Sequence, residues 1–209
     1  MASERPEGRT RLAIIEAARE RLLADGYANL STRKVAAEAG VPLSQLHYHF
    51  GSKSGLILAL LELENQRRLD RQRTMYAAPG VPLWQRYEQA CDYLEDDLDS
   101  GYVRVLQEMI AAGWSEPALG EVVRGLLSGW SALLTDVFTE AEAEHGALGP
   151  FTAAEVATLV SAIFLGSESM LLLGFDRQML PIRSSLRRLG QLFRTWEDTN
   201  NAKDGGGSR

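Results

Sequence analysis

Apolar residues recur three and four positions apart along nearly the whole chain, and period-two alternation is nearly absent, so the pattern predicts an all-α protein. The first helix is expected from about Thr10 to Ala24, with Leu12, Ile15, Ala18 and Leu22 on one stripe and Arg11, Arg19 and Arg21 off it. Asp25-Gly26 stops it, because glycine accepts the left-handed conformation that follows a last helical turn. Ser31 is placed to cap a short second helix reaching about Ala39, and after Val41-Pro42 a third runs from about Leu43 to His49. Ser52 caps a long fourth helix, Lys53 to about Tyr76, which ends before the rigid run Pro79-Gly80-Val81-Pro82. Five more follow at about Leu83–Asp99, Tyr102–Gly113, Pro117–His145, Ala153–Phe175 and Ile182–Trp196. Residues 198–209 carry no apolar periodicity and read as a disordered tail.

The two short helices around Gly40 carry the strongest signal. Helices that cross steeply through a tight turn need a small residue where their backbones meet and one tolerant of positive φ at the corner, and Ala36 and Gly40 meet those demands. Val35, Ala39, Val41, Leu46 and Phe50 form the apolar set that locks the pair together. The spacing is that of a helix-turn-helix, whose second helix enters a DNA major groove, although a plain helical hairpin has the same spacing. The outward residues favour DNA: Ser44, Gln45, His47, Tyr48 and His49 are hydrogen-bonding groups, Thr32, Arg33 and Lys53 flank them, and no carboxylate occurs from Val41 to Gly55.

Charge supports this only weakly. The whole chain has a net charge of −6, but residues 1–55 hold 8 Arg and Lys against 6 Asp and Glu, so the acidity lies in the remainder. The single cysteine, Cys91, excludes an internal disulfide, and with three histidines at no metal-binding spacing neither a metal nor a cofactor is expected. Charges throughout the first 25 residues leave no uncharged secretory core there, so the expected location is cytoplasmic. No Gly-rich phosphate loop, nucleophile elbow or His-Glu-x-x-His occurs, and no catalytic residue is expected.

Residues Arg9 to Ala59, above all Ala39-Gly40-Val41 with Leu46-His47-Tyr48-His49-Phe50-Gly51-Ser52-Lys53-Ser54-Gly55-Leu56-Ile57, resemble the N-terminal domain of TetR-family (tetracycline-repressor-like) regulators. The resemblance implies that Pro42, Leu43, Ser44 and Gln45 open a recognition helix and reach base edges, and that His47 and His49 touch phosphates or bases. It implies that Thr32, Arg33 and Lys53 hold phosphates, and that Tyr48 and Phe50 pack, with the Tyr48 hydroxyl in reach of a phosphate. The chain departs from the pattern at Pro42, where a Ser or Thr cap is usual, and at His47, where Tyr is usual. Leu43 is apolar on a wet face, which contact with a thymine methyl or packing on Pro42 would explain.

The remainder offers two further jobs. Residues 156–175 form a helix apolar almost all round, which must be covered. A membrane span would bury Glu168 at about 2.5–3.5 kcal/mol, so no membrane is expected. Instead the helices at about 153–175 and 182–196, the latter with Ile182, Leu186, Leu189, Leu192, Phe193 and Trp196, are expected to pair with their copies in a homodimer, as the resemblance also implies. Trp84, Tyr87, Cys91, Tyr102, Met109, Trp114, Trp130 and Phe164 are individually core candidates and together suit an adaptable apolar cavity; the resemblance implies a small-molecule effector site there.

The expected architecture is a three-helix helix-turn-helix domain at 1–55, a larger helical effector-binding and dimerisation domain at 56–197, and a tail at 198–209. The expected function is a homodimeric, ligand-responsive repressor that binds a pseudo-palindromic double-stranded DNA operator and is released by a small apolar effector. The rival readings are a helical protein that sequesters a small molecule without a role on DNA, and an enzyme acting in the apolar cavity.

Overall fold

The computed structural model describes residues 6–205, and the described residues form helices and connections with no strand. The helices are α1 (Pro6–Asn29), α2 (Thr32–Glu38), α3 (Leu43–Phe50), α4 (Lys53–Tyr76), α5 (Leu83–Asp99), α6 (Tyr102–Gly113), α7 (Pro117–His145), α8 (Ala153–Leu172) and α9 (Ile182–Gly205). The chain forms two compact units: one runs through Arg67 and adds Gly101–Leu126, the other holds Arg68–Ser100 and everything from Leu127. The segment Gly101–Leu126, expected within the effector domain of 56–197, thus belongs with the helix-turn-helix.

In the first unit α1 packs against α2, α3 and α6. Ile14, Ile15, Ala18 and Leu22 recur at helical spacing and are fully buried with Val35, Leu46, Leu56, Ile57, Leu60, Leu61 and Met109. Each such large side chain contributes about 1.5–3 kcal/mol by leaving water, which fixes α3 on its scaffold. Helix α1 breaks at Gly26, but at φ 73°, ψ 166° rather than in the left-handed helical region, a conformation essentially restricted to glycine. At the turn between α2 and α3, Gly40 takes φ 65° and the Val41 amide donates to the Ala36 carbonyl at 3.0 Å.

Two caps were expected from serines, and one forms. The Ser52 hydroxyl accepts from the Gly55 amide at 3.1 Å, opening α4. Ser31 makes no side-chain cap; its backbone carbonyl takes the Val35 amide at 3.0 Å instead.

In the second unit α5 packs along α9. Pro82 provides no capping side chain for α5, and the buried carboxylate of Glu197 does so from α9, accepting from the amides of Leu83 at 2.7 Å and Trp84 at 3.4 Å. Asp97 is held by Arg68 Nε at 2.9 Å and Arg71 Nη2 at 2.6 Å. Helix α9 runs to Gly205, so residues 198–205 of the expected tail are helical, whereas 206–209 lie outside the described residues. Polar contacts carry this extension where apolar periodicity is lacking: Glu197 on α5, Trp196 Nε1 to the Ala147 carbonyl at 3.0 Å, and Asn201 to His145 at 2.9 Å. Helix α8 opens with a Thr152–Glu155 capping box and stops at Leu172, short of the expected Phe175, because Leu173 is its C-cap and Gly174 follows at φ 84°.

Ile182, Leu186 and Phe193 of α9, expected to face a second copy, are buried within the unit, where Phe193 meets Tyr87 and Phe138 at ring centroid distances of 5.2 and 5.4 Å. Helix α8 is long and apolar enough, by length and composition, to cross a membrane. Leu159, Ile163 and Met170 on it are exposed, as is Leu192 on α9.

Candidate nucleic-acid interface

Helix α3 is held from beneath and open above. Leu46 is fully buried, while Pro42, Ser44, Gln45, His47 and Tyr48 on the other side are exposed and Leu43 and His49 are half-buried. An eight-residue helix with one face in the core presents the rest outward, so these side chains are positioned by α1 and α2 rather than by each other. Tyr48, expected to pack, is 76% exposed; the core position went to Leu46, and the Tyr48 ring stands edge-on to His49 at 5.2 Å. Phe50 does pack, under the Arg11 guanidinium at 5.4 Å from its ring centre. His47 Nδ1 lies 3.1 Å from the Gly51 carbonyl, which holds its ring against the end of α3.

Ser44, Gln45, Tyr48 and His49 line a groove of about 430 Å³ together with Glu7 and Thr10 from the start of α1. Neither α1 residue was among the expected contacts, because the absence of acids from Val41 to Gly55 says nothing about what another helix brings alongside. Thr32 is half-buried and Arg33 is exposed.

Lys53 behaves differently from expectation. Its ammonium donates to the carbonyls of Tyr27 and, at 3.4 Å, Ala28, and it lies 4.4 Å from the centre of the Tyr27 ring. It therefore binds the end of α1 to the start of α4 and spends two of its three N–H groups doing so. Around it is a polar cluster that spacing could not reveal. Glu108 of α6 accepts from the Tyr27 amide at 2.6 Å and from Arg104 Nε at 3.1 Å, and Arg104 donates to the Leu23 carbonyl at 3.0 Å. Glu116 accepts from Tyr27 and Ser54 hydroxyls, each at 3.4 Å.

The eight expected effector residues divide between the two units. Tyr102, Met109 and Trp114 fall in the first; Trp84, Tyr87, Cys91, Trp130 and Phe164 fall in the second. Trp114 is 83% exposed, because it follows the last residue of α6 and leaves the helix, so it lines no interior. Met109 is fully buried, and Tyr102 is buried with its hydroxyl donating to Asn65 Oδ1 at 3.1 Å; both are packed as core. In the second unit Tyr87 and Cys91 are buried and the Tyr87 ring meets Phe164 edge-on at 5.9 Å. Trp84 and Trp130 are half-buried, Trp84 beneath the Arg194 guanidinium at 5.0 Å. Desolvation raises the phenols of Tyr76 and Tyr87 far above the ordinary tyrosine range and pushes the Cys91 thiol up to about 11.

Comparison with known proteins agrees with this geometry. The family model described as bacterial regulatory proteins, tetR family, matches residues 14–60. No curated protein matches the chain at a significant level. Among solved structures, Salmonella enterica GusR is 21% identical with a TM-score of 0.73, covering 91% of this chain and 97% of its own. A TetR transcription regulator from Haloarcula marismortui is 19% identical with a TM-score of 0.72, covering 88% and 95%. The regulator FadR of Bacillus subtilis, solved in complex with stearoyl-CoA, is 14% identical with a TM-score of 0.72, covering 87% and 96%. Residues 14–60 thus match the model of the tetR family of bacterial regulatory proteins, and the chain as a whole shares the all-helical fold of these solved structures.

Proposed function

We propose that this chain is a cytoplasmic, ligand-responsive transcriptional repressor that binds a pseudo-palindromic operator as a homodimer. One observation carries the reading: the outer face of α3, with Ser44, Gln45 and Tyr48, is exposed while Leu46 beneath it is fully buried. Such a helix is rigid, uncovered and rich in hydrogen-bonding groups, which is what direct readout of base edges needs. Gln45, exposed within the first turn of α3, is suited to a bidentate contact with adenine; Thr32, Arg33, Tyr48 and His49 are suited to phosphates. Lys53 acts chiefly by holding α1 to α4, with one N–H left for a phosphate.

The dimer surface we assign to the exposed side of α8, Leu159, Ile163 and Met170, with Leu192 of α9. Covering this patch with its two-fold copy removes apolar surface from water and sets two recognition helices about 34–36 Å, or a multiple of that, apart.

The effector enters the second unit near Tyr87, Cys91 and Phe164; a ligand is in keeping with the fold, since FadR was solved with stearoyl-CoA. Helix α4 is the proposed lever: Lys53 begins it and Gln72 and Tyr76 lie near its other end. A coupling of about 1–3 kcal/mol between effector and operator changes affinity about 5- to 150-fold, enough to release a promoter. The test is a gel shift with the DNA upstream of the chain's own gene and its neighbours, with and without candidate effectors, alongside light scattering for the dimer. Absence of any shifted native fragment would leave only a ligand-binding helical protein.

A further inference from the structure

Helix α1 contains a break that α6 fills. At φ 73° and ψ 166°, Gly26 turns the amide that follows it out of the helix, so the Tyr27 N–H is directed away from the Leu23 carbonyl, its acceptor in a continuous helix. Both halves of that missing bond are taken up by α6. Glu108 Oε2 accepts from the Tyr27 amide at 2.6 Å, Arg104 Nη1 donates to the Leu23 carbonyl at 3.0 Å, and Arg104 Nε donates to Glu108 Oε1 at 3.1 Å. An ion pair of α6 is thus inserted where one backbone hydrogen bond of α1 would run.

The insert is closely seated. A Cβ on Gly26 would stand 3.5 Å from Arg104 and 3.7 Å from Glu108. One on Gly101, the N-cap of α6, would collide with the Leu23 side chain, so α6 begins directly against the residue whose carbonyl it holds. On the other side of the corner Lys53 donates to the Tyr27 and Ala28 carbonyls, and Glu116 accepts from the Tyr27 and Ser54 hydroxyls. Only Leu30 and Ser31 separate α1 from α2. The direction in which the chain leaves Gly26 therefore decides where α2, and α3 after it, begin.

Glycine gives this corner a second form. It populates positive φ about as readily as negative φ and is tolerated inside a helix at a modest cost. If α6 withdraws, the Leu23 carbonyl and the Tyr27 amide lose their partners together, and rotation at the one residue between the bent and helical conformations lets them close on each other. Both backbone groups are paired in either form, which buried or half-buried backbone requires. Two discrete arrangements with the same groups satisfied are what a switching element needs.

We propose that Arg104 and Glu108 are positioning residues for the DNA-reading helix. With their ion pair inserted, α1 is bent and α3 stands in its operator-binding place; with α6 withdrawn, α1 closes at Gly26 and carries α2 and α3 out of it. The proposal rests on the DNA-binding reading above and adds α1 to it as a second moving element beside α4.

The test uses the full chain with isotope-labelled tyrosine for NMR, the Tyr27 signal being assigned with Tyr27→Phe, and fluorescence anisotropy on the operator found by gel shift. Arg104 and Glu108 are each partly exposed, so Arg104→Ala and Glu108→Ala leave the core intact. Each should lower operator affinity about tenfold, within the ordinary range of coupling between sites. The two together should cost no more than either alone, because the pair acts as one insert. Gly26→Ala disfavours the bent backbone, so it should weaken the parent similarly and add nothing to Glu108→Ala. In Glu108→Ala the Tyr27 amide should still exchange slowly with solvent, now bonded to the Leu23 carbonyl. Fast exchange there would overturn the proposal, since the corner would then fray instead of closing. Additive losses, or operator affinity unchanged in Glu108→Ala, would overturn it too, and each of these outcomes leaves the DNA-binding reading standing. If no native fragment binds the parent chain, that reading fails and the proposal with it.

Discussion

Glu7 is the residue whose substitution discriminates most sharply between a DNA-reading face and a merely exposed one. Its carboxylate lines the same groove as Ser44, Gln45, Tyr48 and His49, so DNA docked on α3 brings phosphates towards a fixed negative charge. At about 7 Å in water a carboxylate and a phosphate repel by about 0.6 kcal/mol, and salt at 0.1 M roughly halves that. Two or three phosphates in range therefore cost about 0.6–0.9 kcal/mol per protomer, about three- to fivefold in affinity. Glu7→Gln keeps the size of the side chain and removes the charge. Fluorescence anisotropy should show it binding every duplex more tightly than the parent, operator and random sequence alike, with the salt dependence steeper by about 0.9 in slope for each protomer on the DNA. Stronger binding throughout with an unchanged operator-to-random ratio is the expected pattern. Weaker operator binding would mean that Glu7 accepts a hydrogen bond from a base, and no change at all would place the DNA elsewhere.

Gln45→Ala should act oppositely, costing about 1–3 kcal/mol on the operator, relaxing one base position in a binding-site selection and leaving random DNA unaffected; equal losses on both would remove it from base readout. Gly26→Ala places a methyl 3.5–3.8 Å from Arg104 and Glu108, ordinary contact, so its cost is the backbone conformation alone, about 1–3 kcal/mol. That should lower the melting temperature by about 2–12 °C, and an unchanged melt would mean another backbone at this corner. With its thiol pushed up to about 11 and 4% exposed, Cys91 is about one part in a thousand thiolate at pH 8, so iodoacetamide should label it only after unfolding. Fast labelling of the native protein would contradict its burial. Leu159→Glu combined with Leu192→Glu should give a monomer by light scattering, with weakened operator binding and an unchanged circular dichroism spectrum; a persistent dimer would move the interface off this patch.

Elements bounded by local chemistry were legible in the sequence. Helices α4, α5, α6 and α7 start and stop where their residues alone say they should, because Ser52, Gly101 and the Pro79 to Pro82 run act within one or two residues of the break. Helix α9 was misjudged for the opposite reason. What holds it past Trp196 is a carboxylate reaching the start of α5 and an asparagine reaching α7, and such partners are invisible to periodicity. The same limit governed the aromatics: Tyr87 and Trp114 are equally hydrophobic on paper, yet one is sealed between Phe164 and Phe193 and the other is the first residue beyond a helix.

At the candidate interface this difference between local and long-range information decides what can be claimed. The outward set on α3 follows from the eight residues of that helix and from Leu46 alone, so it was readable. The field around that set is a property of the assembled surface. Glu7 enters it from 37 positions upstream of Ser44, and Lys53, the expected phosphate anchor, turns away to the carbonyls that end α1. The positive character expected of the face is thus reduced twice, by an acid brought in and by a base diverted. A binder built this way gains little from non-specific attraction, and its preference for an operator must come from base contacts such as those of Gln45. The measured salt slope on random DNA should accordingly be shallow for a regulator of this size, and a steep slope would show that Arg33, Lys34 and the histidines dominate the field despite Glu7.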